Sequence, residues 1–205
     1  MYRVLITLLL ALADLASVQA QDVEVTAVKF ANLRSPPGAN GNWLEADIAL
    51  NVRPGPGAAG QMVSRVRVTV LLGFELAALA GGERRIEHFR AEAECVVLEA
   101  GRANLRFYLP PELVKRDQLH GDPKYWGVEL AVAGRPVPAA RGSYAGTLAN
   151  SEQRKSFQTK GTPAATANEG LLQPQYLTPF ATEYPRATPS FVRRDERAGP
   201  AASNR

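Results

Sequence analysis

Two histidines, His88 and His120, are the side chains of this chain best suited to bind a metal or move a proton near neutral pH. Neither has a second His, Cys or carboxylate at ligand spacing, so the sequence supports no zinc or iron site. Four carboxylates, Glu45 with Asp47 and Glu92 with Glu94, have the residue type that glycoside hydrolysis needs. Their i, i+2 spacing is also that of a solvated strand face, and this second reading accounts for both pairs. No Gly-x-Ser-x-Gly elbow presents a serine nucleophile. The glycines of Pro54–Gly60 (P-G-P-G-A-A-G) lack the lysine and the strand-to-helix setting of a phosphate cradle. Trp43, Tyr108, Tyr125 and Trp126 could stack on a sugar ring, or cover the edge of a core. The lone Cys95 cannot close an intramolecular disulfide, and its place in an alternating run turns it inward as a small apolar side chain. Residue chemistry thus points to no catalytic group, no metal ligand and no cofactor.

The elements around these residues read as strands. Phe89, Ala91, Ala93 and Cys95 alternate with Arg90, Glu92 and Glu94, the period of two of a half-buried strand. After Gly101 the alternation resumes with Ala103, Leu105, Phe107 and Leu109. Together they read as one long hairpin with a three-residue loop, Glu99-Ala100-Gly101, Gly101 taking the left-handed position. That register sets Cys95 opposite Leu105 and predicts an outer-face ion pair between Glu94 and Arg106. Upstream, Asp22–Leu33 is a first strand whose parity slips near Ala27, as at a β-bulge or a crossing between sheets. Trp43–Val52 turns Leu44, Ala46, Ile48, Leu50 and Val52 inward, and Met62–Leu76 does the same with Val66, Val68, Val70, Leu72 and Phe74. Ala77–Gly82 reads as a loop. Pro111–Asp117 predicts one or two helical turns, Tyr125–Ala133 a further strand, and Gly142–Leu148 a weak final one.

About seven strands with turn signals roughly every ten residues predict an all-β fold, an immunoglobulin-like antiparallel β-sandwich with one short helix. A small closed barrel of the OB type is the alternative. Residues 21–149 form this domain, which is long enough to bury its own core.

Residues 1–20 read as a signal peptide. Arg3 is the positive start, Val4–Ala13 the apolar stretch, and Val18-Gln19-Ala20 the cleavage site, with Asp14 shortening the run below the ~20 residues a span needs. An uncleaved N-terminal anchor is the other reading. Export to the periplasm, the outer membrane or the cell surface follows, with no transmembrane segment after cleavage. The formal charge of +4 is spread over strand faces of alternating sign, so no nucleic-acid groove is indicated.

From Asn150 the periodicity ends and Ser, Thr, Pro, Ala, Asn and Gln dominate, a composition that predicts a largely disordered C-terminal tail over 150–205. Within it lies an apolar island, residues 170–180, with Leu171, Leu172, Tyr176, Leu177 and Phe180 as candidate interaction residues. It reads as a docking segment that adds to a sheet edge or fills a partner's groove, or as a sticky accident of the tail.

Three segments, Trp43-Leu44-Glu45-Ala46-Asp47-Ile48-Ala49-Leu50-Asn51-Val52, Phe107-Tyr108-Leu109-Pro110-Pro111-Glu112-Leu113-Val114-Lys115-Arg116-Asp117 and Leu171–Phe180, together resemble a family of exported bacterial pilus-like proteins encoded beside type IV pilus assembly components. The resemblance implies an immunoglobulin-like sandwich and a non-enzymatic envelope protein whose partners are other envelope proteins, among them pilus assembly components. A true type IV pilin carries a prepilin leader and a long apolar N-terminal helix; here a secretory signal precedes a strand, so the chain is not expected to polymerise as a pilin. A carbohydrate-binding module of the same fold, using Trp43, Tyr125 or Trp126, is the alternative function.

Overall fold

The computed structural model describes residues 23–38, 40–55, 59–76, 84–183 and 188–192; the signal-peptide reading and the Ala77–Gly82 loop reading lie outside them. Among the described residues, eight strands form two antiparallel sheets. The first sheet runs β1 (Val23–Arg34), β2 (Asn42–Val52), β5 (Gly101–Leu109) and a two-residue β8 (Gln173–Pro174). The second runs β4 (Arg85–Glu99), β3 (Met62–Leu76), β6 (Tyr125–Val132) and β7 (Arg135–Val137). Two open sheets face to face exclude the closed barrel, and the chain crosses between them as in an immunoglobulin-like sandwich. Its core is made by the inward residues the alternation picks out: Leu44, Ala46, Ile48 and Leu50 from β2 face Val66, Val68, Val70 and Leu72 from β3, each at most 1 % exposed.

The parity slip near Ala27 is a register shift between Val25 and Ala27, a bulge in the β1–β2 pairing. Pro111–Arg116 forms α1, with Pro111 at the first turn, Leu113 and Val114 buried, and Lys115 and Arg116 at its end.

The long hairpin does not form. β4 pairs with β3 and β5 with β2, so Phe89–Leu109 is an arch that leaves one sheet at Ala100 and enters the other at Gly101, which has φ of 110°. Alternation fixes which face of a strand is buried, and both arms do face the core; it does not say which strand lies alongside. The expected Glu94–Arg106 pair therefore fails. Arg106 sits opposite Asp47 and lies 3.8 Å from its carboxylate, while Glu94 is held by Arg65 at 2.8 Å and Arg67 at 3.3 Å on the other sheet. The strand expected over Tyr125–Ala133 forms, and one further expectation is corrected. The strand beginning at Tyr125 turns back at Ala133-Gly134, both with positive φ, into the unforeseen β7. Gly142–Leu148 is not a strand but a 3-10 turn at Arg141–Ser143 followed by a single bridge from Tyr144 to Gly127.

Candidate functional site: a C-terminal strap between the two sheets

The largest difference from the sequence reading lies past Asn150. Residues 150–183, expected to be mostly disordered, are helix and turns packed on the sandwich. Ser151–Ala164 is a second helix, α2. The Asn150 side chain accepts from the Gln153 N–H at 2.8 Å, and the Gln153 side chain accepts from the Asn150 N–H at 3.3 Å, a reciprocal cap. Composition hid this helix because it carries one large apolar side chain, Phe157. That ring packs on the outer face of the second sheet beside Leu71, Tyr125 and His88. Gly161 brings the helix close: a Cβ there would sit 2.9 Å from both His88 and Leu71. Burial lowers the pKa of His88, which serves here as a packing residue.

A 3-10 turn, Ala165–Asn168, then reaches the edge of β4, where Asn168 Nδ2 donates to Glu87 Oε1 at 2.7 Å and to the His88 carbonyl at 2.9 Å. The chain crosses the open side of the sandwich and pairs with the opposite edge, Gln173 with Tyr108 and Pro174 with Phe107 of β5. Beyond the island it returns to β4: the Val96 N–H donates to Ser190 O at 2.8 Å and the Val192 N–H to Glu94 O at 2.7 Å, with Phe191 opposite Cys95. This strap links β4 to β5, the two strands that the arch leaves unpaired with each other.

The five candidate interaction residues divide sharply. Leu172 is 2 % exposed and belongs to the main core, where half-buried Leu171 and Tyr176 pack against it. Phe180, 1 % exposed, stacks on Tyr108 at 4.5 Å between ring centres and meets Trp43 edge-on at 5.8 Å. Leu177 alone stands out, 59 % exposed. The island does add to a sheet edge, and the edge belongs to its own domain. Buried polar groups hold its turns. Gln175 Nε2 donates to the Phe180 carbonyl at 3.0 Å, and Thr178 Oγ1 donates to the Gln175 carbonyl at 2.8 Å.

Phe180 also changes the outer face of the first sheet. Glu45 and Tyr108 point outward by parity, yet under this cover both are buried, and the Tyr108 hydroxyl donates to Glu45 Oε2 at 2.6 Å. Burial raises the Glu45 pKa; the Tyr108 hydrogen bond opposes it and Asp47 adds to it. Glu92 is bound to Arg67 at 3.3 Å and Arg90 at 3.5 Å. The four carboxylates of the glycosidase pattern are thus tied into ion pairs on two different sheets.

The aromatic side chains are equally committed. Trp43 donates its Nε1–H to Ser35 Oγ at 3.0 Å, Trp126 packs against Phe30 at 6.1 Å, and Tyr125 against Phe157 at 6.0 Å. Among the described residues no group of three or more His, Cys, Asp or Glu side chains is placed to hold a metal ion. Burial pushes the Cys95 thiol up to about 12, consistent with a packing role. His120 is an exposed residue of the turn after α1.

Along β4, between the edge and the strap, runs a groove of about 930 Å³. It is lined by Arg90–Glu94, by Thr162, Thr166 and Glu169, and by Tyr176, Leu177 and Val192. Sequence reasoning missed this groove because it exists only once the tail has folded back.

The class of protein is thereby defined: an immunoglobulin-like antiparallel β-sandwich strapped by its own C-terminal segment. No protein-family model matches the sequence. No curated protein matches it either. Among solved structures, a crystal structure of a protein from Akkermansia muciniphila is similar in fold, with a TM-score of 0.64 at 18 % identity, covering 84 % of this chain and 93 % of that one. That share of this chain exceeds everything up to the end of β7, so the likeness takes in residues beyond β7. At such identity the likeness is one of fold. Among the described residues no helix is long and apolar enough to cross a membrane.

Proposed function

We propose that this is a non-enzymatic, exported envelope protein that works with type IV pilus assembly through protein–protein contacts. The observation that carries the reading is the division within the strap: its other large apolar residues are spent inside the domain, while Leu177 is left 59 % exposed at the rim of a groove that follows a sheet edge. Edges and apolar rims of this kind serve extended-peptide and loop recognition. The resemblance of Trp43–Val52, Phe107–Asp117 and Leu171–Phe180 to exported pilus-like proteins supplies the setting. The ion-paired carboxylates and packed aromatic rings favour this reading over hydrolysis or sugar binding.

Affinity co-purification from the envelope fraction of cells of the source organism tests it. Pilus assembly components should be enriched with the full chain and reduced at least about fivefold by Leu177→Asp, a change on an exposed side chain that leaves the fold intact. Retention on a glycan array, lost on Trp126→Ala, with no envelope protein enriched, would overturn the proposal in favour of carbohydrate binding.

A further inference from the structure

Deamidation begins when an asparagine side chain reaches the backbone nitrogen of the next residue. It runs fastest where that residue is glycine, whose missing side chain leaves the nitrogen open and the chain free to turn. Two asparagines of this chain precede a small residue, Asn40 before Gly41 and Asn150 before Ser151. The fold treats them differently. Asn150 caps α2: its side-chain oxygen accepts from the Gln153 N–H at 2.8 Å, and its carbonyl accepts from the Arg154 N–H at 3.2 Å. Its amide is therefore held against Gln153, and the Ser151 nitrogen belongs to the first turn of a helix.

Asn40 stands exposed between β1 and β2. Gly41 has φ of 96°, a backbone that L side chains rarely adopt, and a Cβ there would sit 2.5 Å from the Pro111 Cβ. The fold thus requires glycine directly after an exposed asparagine. The pair also lies at a sensitive place. The Gly41 carbonyl accepts from the Ser35 N–H at 2.9 Å and from the Ser35 hydroxyl at 3.0 Å. Ser35 Oγ accepts in turn from Trp43 Nε1 at 3.0 Å, and Trp43 meets Phe180 of the strap at 5.8 Å.

We propose that Asn40 is a site of spontaneous deamidation in the folded protein, and that isoaspartate there loosens the seat of the strap on Trp43. The Gly41 nitrogen attacks Asn40 Cγ; a C–N bond forms, the bond to the side-chain nitrogen breaks, and ammonia leaves with the Gly41 proton. Water then opens the cyclic imide. Opening at the main-chain carbonyl of residue 40 routes the chain through Cγ, one methylene longer, and leaves a new carboxylate; nothing is oxidised or reduced. The added methylene displaces Gly41, the residue that Ser35 and Pro111 hold in place. This inference rests on the loop and not on the envelope reading, and the two stand or fall separately.

The test ages the full chain at mildly alkaline pH in oxygen-18 water and maps it by peptide mass spectrometry, with an isoaspartate-specific methyltransferase marking the product. Asn40 should take up the heavy oxygen at least about tenfold faster than Asn150, and the gap should narrow in denaturant, where the α2 cap is gone. Asn40→Gln, whose longer side chain must close a larger ring, should lose the mark and keep the fold. No uptake at Asn40, or equal rates at the two sites in the folded protein, would overturn the assignment. In the aged fraction, separated by its added negative charge, the Trp43 indole N–H should exchange with deuterium at least about fivefold faster than in fresh protein. Unchanged indole exchange would overturn the link to the strap.

Discussion

Phe180→Ala tests how the strap is held. The ring is 1 % exposed, lies nearly parallel to Tyr108 at 4.5 Å and meets Trp43 edge-on at 5.8 Å. Burying such a side chain is worth roughly 1.5–3 kcal/mol by area. The aromatic pairs add about 0.5–1.5 kcal/mol. Truncation also leaves a cavity between two residues anchored elsewhere, Trp43 through Ser35 and Tyr108 through Glu45, so the site cannot collapse freely. The expected loss is therefore about 3–5 kcal/mol, read as a shift of the urea midpoint at unchanged m-value. Trp43 reports the same event locally. Its edge-on contact with Phe180 disappears, so its fluorescence should move to longer wavelength under native conditions, before global unfolding. A loss below about 1 kcal/mol with an unchanged Trp43 spectrum would refute the reasoning, because the strap would then not be seated on this face.

Gly161→Val should lift α2 from the second sheet, since its Cβ meets His88 and Leu71 at 2.9 Å; a loss of about 1–3 kcal/mol in chemical denaturation is expected. Cys95, fully buried with its thiol pushed up to about 12, should resist a thiol reagent at pH 8 in the native protein and react at once in denaturant. Glu45 has a pKa raised above 4.5 by burial, so the folded state holds its proton more tightly than the unfolded chain does. Its contribution to stability is fully present below the unfolded-state pKa and is lost as pH rises through the higher folded-state one, opposite to an ordinary ion-paired carboxylate. Glu45→Gln should keep the hydrogen bond from Tyr108 and flatten that part of the stability–pH curve, measured by urea denaturation between pH 4 and pH 8.

The sandwich was legible because β2 and β3 each hold to a period of two over many residues, and every inward residue named from that period is buried. The bulge by Ala27 and helix α1 were legible for local reasons, a parity slip and a proline at a helix start. Strand partnership was not. Cys95 and Leu105 both face the core, but across it rather than side by side, and nothing in the alternation separates a hairpin from an arch. The strap was missed because hydrophobic period is the wrong signal for a helix such as α2, which buries Phe157 and little else. Asn150 and Gln153 carried the usable signal, a capping pair three residues apart. Of the candidate site, the apolar island was found and its edge-pairing habit foreseen. That four of its five named residues turn into its own domain required knowing that β5 presents an edge beside it.

The central claim is that this sandwich meets envelope proteins at the exposed rim of its strap. Its most direct measurement is site-specific photo-cross-linking in living cells, with the photoreactive side chain placed at Leu177 and, as the control, at the buried core position Leu172. The account predicts an adduct with a pilus assembly component at position 177 and none at position 172. No adduct at 177 while the protein is present in the envelope, or adducts of equal yield at both positions, would contradict it.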